Sequence, residues 1–145
     1  MTHLQTREIP DGEMLFRYCS PSAFPPGQTD IPTNVFGELR LSCDWNKFRP
    51  DPSTSFHIGE GLTRVISITV ADDIRNPRNP KREGEILEAQ IQRIYHNPTT
   101  EKDDPLHGAN PAHSLIEGRK KKAVQEALVA NSEWHDIIAD DFNKG

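Results

Sequence analysis

The chain has 145 residues, a net charge of −5 and an apolar fraction of 34%. That length suits one domain with a single modest core, and no apolar run approaches the roughly 20 residues of a membrane helix. The acidic balance argues against a general nucleic-acid binder. The first residues do not follow a signal-peptide pattern, and two cysteines are too few for a disulfide framework. We therefore expect a cytoplasmic single-domain protein (1–145) whose ends, 1–12 and 139–145, are mobile.

Predicted strands cover much of the chain and alternate with proline-rich connections. In the second of them, apolar Leu41 and Cys43 alternate with polar residues, which is typical of a half-buried strand. In the segment 63–74, β-branched residues occupy both faces of the predicted strand, which indicates a central strand. The segment 85–96 suits either a strand or a helix face, and we favour a strand because Pro98 ends it abruptly. The predicted strands are 13–20, 35–45, 63–74, 85–96 and 112–117.

One helix is predicted, over 119–131. Val124, Ala127 and Leu128 recur there at helical spacing and form an apolar face. Together these elements predict an α+β fold, in which a small, mostly antiparallel sheet of about four or five strands carries this long C-terminal helix on one face. An exposed edge strand of such a sheet would allow a homodimer.

Three sequence segments resemble those of a family of small, uncharacterised bacterial proteins. The first is Phe16-Arg17-Tyr18, on the first predicted strand. The second is an "LSxDW"-like segment that ends at Trp45, and the third is an "NPAH…G" segment that runs from Asn110 to Gly118. The resemblance covers most of the chain and implies a bacterial origin and a self-contained domain. The family has no established activity, so the resemblance implies no function.

Two basic stretches are candidates for binding a partner. One lies in a loop that also contains Lys81 and Arg82, and the other begins the predicted helix directly after Gly118. Free N–H groups at a helix N-terminus and neighbouring lysines both attract phosphate or carboxylate groups. We therefore predict a non-enzymatic interaction or accessory module that needs no cofactor and binds a protein or a phosphate-bearing ligand. The candidate residues are Arg75, Arg78, Arg119, Lys120 and Lys121.

An enzymatic alternative rests on Arg17, Ser53 and Glu85. Their order is similar to that of the arginine, serine and glutamate motifs in one class of ADP-ribosyltransferases. The resemblance implies that the arginine holds the phosphates of NAD, the serine motif shapes the cleft and the glutamate orients the acceptor. The serine motif here departs from that pattern, because it follows prolines rather than lying within a clean strand.

A second enzymatic alternative is a metal-dependent hydrolase that uses His96, His107 and His113. Imidazole and carboxylate groups suit a divalent metal such as zinc, and two aspartates lie between these histidines in the sequence. Their spacing matches no known metal motif, and hydrogen bonding within a polar loop explains them better than a metal site does. Cys43 falls on the apolar side of its strand, which favours a place in the core over catalysis. Since the sequence shows neither a nucleophile–base pair nor a full metal signature, the interaction module is favoured.

Overall fold

The computed structural model describes residues 7–19, 24–25, 27–55, 57–58, 61–106 and 108–139. An antiparallel sheet dominates this part of the chain. Seven strands lie side by side in the order β1-β5-β6-β3-β2-β4-β7, and β8 pairs with the first half of β4. The strands are β1 (Arg7–Glu8), β2 (Met14–Cys19), β3 (Arg40–Trp45), β4 (Gly61–Thr69), β5 (Arg93–His96), β6 (His113–Glu117), β7 (Ser132–Trp134) and β8 (Ile137–Ala139).

The helices in the described part of the chain are short. They are α1 (Asp72–Arg75), α2 (Lys122–Ala130) and three 3₁₀ helices, at Thr33–Phe36, Pro52–Thr54 and Glu88–Gln90. The prolines of the connections account for some of this irregularity, because proline cannot donate to a sheet and fits the first turn of a helix. Pro52 takes that position in its 3₁₀ helix, which Asp51 caps by accepting a hydrogen bond from the Ser53 N–H at 2.9 Å.

The core lies on one face of the sheet. Because side chains alternate along a strand, Leu41, Cys43 and Trp45 of β3 point into this core, whereas Ser42 and Asp44 point to the opposite face. The two short helices and the first 3₁₀ helix cover the core side. They contribute the buried side chains Phe36, Ile74, Val124 and Leu128.

The predicted central strand, 63–74, is confirmed up to Thr69, whereas its last part is wrong because Asp72–Arg75 forms helix α1. It corresponds to β4, which pairs with β2 on one side and with β7 and β8 on the other. Its Val65, Ile66 and Ile68 are fully buried. The predicted strand at 85–96 is wrong over most of its length, since only Arg93–His96 is a strand and Glu88–Gln90 is a 3₁₀ helix.

The predicted α+β fold with one long C-terminal helix, over 119–131, is also wrong. The sheet is larger than expected, and the helix in this region spans only the nine residues of α2. The helix begins late because Lys120 is buried and donates hydrogen bonds to backbone carbonyls, which holds its segment in a non-helical conformation. It ends early because the chain turns at Asn131 to enter β7. The neighbours of α2 are mainly the Thr33–Phe36 helix and α1.

The two predicted mobile ends fall largely outside the described residues, at 1–6 and 140–145. Within the described part of the first end, Arg7–Glu8 pairs with β5 and Ile9 is fully buried. None of the helices described is both long and apolar enough to cross a membrane.

Candidate functional site

Polar side chains form a small pocket on the face of the sheet opposite the core. Strands β2, β3 and β6 contribute to it, and the connection after β3 adds a histidine. The pocket has a volume of about 50 Å³. We call it the sheet pocket, and it is lined by Arg17, Tyr18, Ser42, Cys43, Asp44, His57 and His113. Arg17 and Cys43 border it from core-facing positions of their strands.

Asp44 is the buried anion beside this pocket, with only 2% of its surface exposed. Its carboxylate forms an ion pair with the Nε of Arg49 at 2.9 Å. It also accepts hydrogen bonds from the Tyr18 hydroxyl at 2.9 Å and from the Asn110 side-chain amide at 2.9 Å. Arg49 in turn donates to the side-chain oxygens of Asn110 and Thr54, each at 3.0 Å. The network thus joins β2 and β3 to two connecting segments and neutralises the buried charge.

Tyr18 stays protonated at neutral pH. Burial raises the pKa of its hydroxyl, and the negative charge of Asp44 raises that pKa further. The ring of His57 stacks on the ring of Tyr18, with 4.8 Å between the ring centroids. Tyr18 therefore serves as a fixed hydrogen-bond donor to Asp44 in the wall of the sheet pocket.

The two cysteines are buried in the core, as predicted for Cys43. Burial raises the pKa of the Cys43 thiol to about 12 and also raises the pKa of Cys19. A nucleophilic cysteine requires the thiolate. Both thiols are therefore packing groups rather than nucleophiles at neutral pH.

The three ADP-ribosyltransferase-like residues have different surroundings. Arg17 lines the sheet pocket and forms an ion pair with Glu38 at 3.4 Å. Ser53 donates a hydrogen bond to the Asp51 carboxylate at 2.7 Å. Glu85 lies in a separate loop, where it is paired with Arg82 at 3.5 Å. Arg17 and Glu85 thus line two different pockets.

The histidines of the metal hypothesis are likewise engaged in separate contacts. The Nε2 of His96 lies 2.6 Å from the Pro111 carbonyl oxygen, and its ring stacks on Phe48. His113 lines the sheet pocket instead, and its Nδ1 lies 2.8 Å from the Asn97 carbonyl oxygen. His107 lies outside the described residues. Among the residues described, no group of three or more potential ligands is arranged to hold a metal ion.

The two basic stretches of the sequence meet in a groove of about 600 Å³. Arg78 and Lys81 reach it from the loop before β5, and Lys121 and Lys122 reach it from the start of α2. We call this surface the basic groove. Its other lining residues are uncharged except for one carboxylate, and they are Pro80, Leu87, Gln90, Ala123 and Glu126.

The remaining predicted partner-binding residues differ in exposure. Arg75 donates to the Ile9 carbonyl at 2.5 Å and is paired with Glu8 and Asp11, so it anchors the N-terminal segment. The Lys120 ammonium donates to the carbonyl oxygens of three residues at 2.7–3.0 Å. Arg119 is exposed. Arg75 and Lys120 therefore hold the fold together around the groove. The three acceptors of the Lys120 ammonium are Leu39, Ile116 and Gly118.

The burial of Lys120 predicts a pH effect on stability. Desolvation lowers the pKa of Lys120 to about 8, whereas an exposed lysine titrates near 10.5. Between these values the unfolded chain holds a proton that the folded chain has released. The contribution of Lys120 to the free energy of unfolding therefore rises with pH over this interval, by roughly 1.4 kcal/mol per unit of pKa difference at most. Urea unfolding of the wild type and of Lys120→Met at about pH 7 and pH 10 checks this expectation. The wild type should gain relative to the variant, and an unchanged difference would contradict it.

Sequence reasoning missed several residues of the sheet pocket. Ser42 and Asp44 lie at the polar positions of an alternating strand, and this alternation was the available signal. Nothing in the sequence pairs them with Tyr18 or His113, because those contacts depend on which strands are neighbours. Arg49 follows the strand in an irregular connection and carries no signal of its burial.

Comparisons with known proteins give no family assignment, since no family model, curated protein or solved structure matches the chain. The resemblance to a small bacterial family and the cytoplasmic location both stay predictions.

Proposed function

We propose that the chain is an interaction module that binds a phosphate-bearing partner in the basic groove. The observation that carries this proposal is the convergence of two cationic segments, remote in sequence, on one concave surface. Four of the nine lining residues are cationic and one is acidic. The whole chain has a net charge of −5, so this surface carries a local positive charge on an acidic protein.

The start of α2 adds a second reason to expect an anion. No side chain caps this N-terminus, and its first turn contains no acidic residue. The free N–H groups of the first turn and the positive end of the helix dipole therefore add to the charge of Lys121 and Lys122, and Glu126, one turn further on, is the nearest carboxylate of the groove. Tetrahedral phosphate oxygens can accept from such N–H groups and pair with the lysines at the same time.

The cations of the groove are available to a ligand. Arg78 is paired with Asp72 at 3.1 Å and Lys122 with Glu126 at 3.8 Å. All four of these side chains are at least 44% exposed, and exposed ion pairs of this kind contribute little free energy. A phosphate group can therefore displace the carboxylates at small cost.

Binding of pyrophosphate and ATP, followed by thermal shift and calorimetry, tests this function. A ligand at about 100 times its dissociation constant adds roughly 2.7 kcal/mol of stability, which raises the melting temperature of a domain of this size by several degrees. We expect the Lys121→Glu/Lys122→Glu double variant to lose this shift. A Lys47→Glu/Lys102→Glu variant carries the same net charge, changes two exposed lysines that do not line the groove, and should retain it.

Two results would contradict the proposal. One is the absence of any shift with either phosphate ligand in the folded wild type. The other is equal binding by both double variants, because that would mean a response to net charge alone. A shift with a phosphate-free oligoglutamate peptide but not with phosphate ligands would instead identify an acidic protein segment as the partner.

A further inference from the structure

The sheet pocket holds a serine and a histidine in hydrogen-bonding position. The Oγ of Ser42 lies 3.3 Å from the Nε2 of His113. The pairing of β3 with β6 creates this contact, because it sets Asp44 directly opposite His113 and brings Ser42 diagonally next to it. Ser42 is exposed at the pocket, so a ligand can reach its hydroxyl.

The backbone fixes the tautomer of His113. Its Nδ1 lies 2.8 Å from the carbonyl oxygen of Asn97, and a carbonyl oxygen can only accept a hydrogen bond. Nδ1 therefore carries the proton of the neutral ring, and the lone pair of Nε2 faces the Ser42 hydroxyl. A nucleophile, a base in the correct tautomer and a group that orients the base are the parts of a serine-type acyl-transfer site.

Arg17 borders the same pocket from β2. Its Nη1 donates to the Ser42 carbonyl oxygen at 3.3 Å. Because Arg17 pairs with the core residue Ile66, its side chain starts from the core side of the sheet and holds the backbone of β3 rather than facing the Ser42 hydroxyl. The Nε of Arg17 is buried without a hydrogen-bond partner in the described part of the chain. Because the pocket holds only about 50 Å³, it has room for a short acyl group.

We propose that Ser42 is the nucleophile, and His113 the general base, of a site that hydrolyses esters of short-chain carboxylic acids. The Ser42 hydroxyl passes its proton to Nε2 of His113 while Oγ bonds to the acyl carbon, whose carbonyl oxygen becomes the oxyanion. The alcohol then leaves with the proton from His113. Water attacks the acyl group and gives a proton to His113, which returns it to Ser42 as the acid departs.

This activity is independent of the basic groove. Ser42 lies on the sheet face opposite the core, whereas α2 packs on the core side. The proposal departs from the non-enzymatic module that the sequence favours, because the nucleophile–base pair exists only in the folded chain. A failed test of one surface leaves the other unaffected.

Labelling with a small alkyl fluorophosphonate tests the site. In this reaction the serine Oγ bonds to phosphorus and fluoride leaves. We expect the folded wild type to gain the label on the peptide that contains Ser42, and to hydrolyse p-nitrophenyl acetate. Ser42→Ala should lose both properties, and His113→Gln should react about a hundredfold more slowly. Ser132→Ala, on β7, is the matched control and should react as the wild type does.

Two labelling results would contradict a catalytic role for Ser42 and His113. The proposal is overturned if the folded wild type is not labelled at Ser42, or if His113→Gln is labelled as fast as the wild type. A variant that fails to fold, by circular dichroism, does not rescue the proposal, since the wild-type labelling site alone suffices to reject it.

Discussion

Asp44→Ala is expected to cost about 3–5 kcal/mol of unfolding free energy, which is a large part of the stability of a domain of this size. The variant removes a buried carboxylate and leaves the Arg49 guanidinium, whose side chain is only 14% exposed, without its counter-ion. Tyr18 and Asn110 each lose an acceptor at 2.9 Å at the same time. Urea unfolding followed by far-UV circular dichroism measures the loss.

A paired variant separates the buried charge from the lost packing. Asp44→Leu with Arg49→Met removes both charges and keeps much of the side-chain volume, so it should be clearly more stable than Asp44→Ala. Equal stability of the two variants would mean that the ion pair is not what makes Asp44 important. A loss below about 1 kcal/mol for Asp44→Ala would contradict the network altogether.

Strands with a clear apolar and polar alternation were the predictable part of this fold, because that evidence is local, whereas the short strands β1, β7 and β8 were not predicted. Leu41 and Cys43 alternate with Ser42 and Asp44, and this period predicts β3 together with its two faces. The length of α2 was not predictable in the same way. Its apolar residues recur at helical spacing as far as Leu128. Lys120 nevertheless lies outside the helix, because its ammonium donates hydrogen bonds to the carbonyl oxygens of Leu39 and Ile116, which are remote in sequence or belong to β6.

The candidate sites show the same division between local and long-range information. Sequence alone selects Arg17 and His113 for two unrelated hypotheses, whereas the structure brings both into one pocket with Ser42. The charge of Lys120 suggests a binding residue, yet its ammonium satisfies buried carbonyl groups. Side-chain type predicts which chemistry is available, but the strand order decides which side chains meet.

Gln92 explains how the two halves of the basic groove are held together. It is only 1% exposed and lies directly before β5. Its backbone N–H donates to the Arg75 carbonyl at 2.9 Å, and its side-chain amide donates to the Arg119 carbonyl at 2.8 Å. One buried glutamine therefore links the loop that carries Arg78 to the segment that leads into α2. We therefore expect the shape of the basic groove to depend on this link more than on its exposed ion pairs.

Gly118 is the position at which this link is most sensitive. Its φ of 151° is one that other residues rarely adopt, and a Cβ there would lie 2.6 Å from the Gln92 side-chain nitrogen and 2.7 Å from the Ile91 carbonyl oxygen. We expect Gly118→Ala to cost about 3 kcal/mol, from backbone strain and overpacking together. Because the alanine pushes on Gln92, the folded variant should also bind pyrophosphate more weakly.

Gly84→Ala is the control for this prediction, since Gly84 has a φ of 80° and a Cβ added there would meet no atom within 4 Å. It should lose only about 1 kcal/mol, the cost of the backbone conformation alone. Urea unfolding of both variants measures the difference. Equal losses would show that the contact with Gln92 is absorbed by side-chain movement, and the glutamine link would then not be the element that fixes the groove. A larger loss of unfolding free energy for Gly118→Ala, together with weaker pyrophosphate binding, would show that the contact of Gly118 with Gln92 both stabilises the fold and shapes the basic groove.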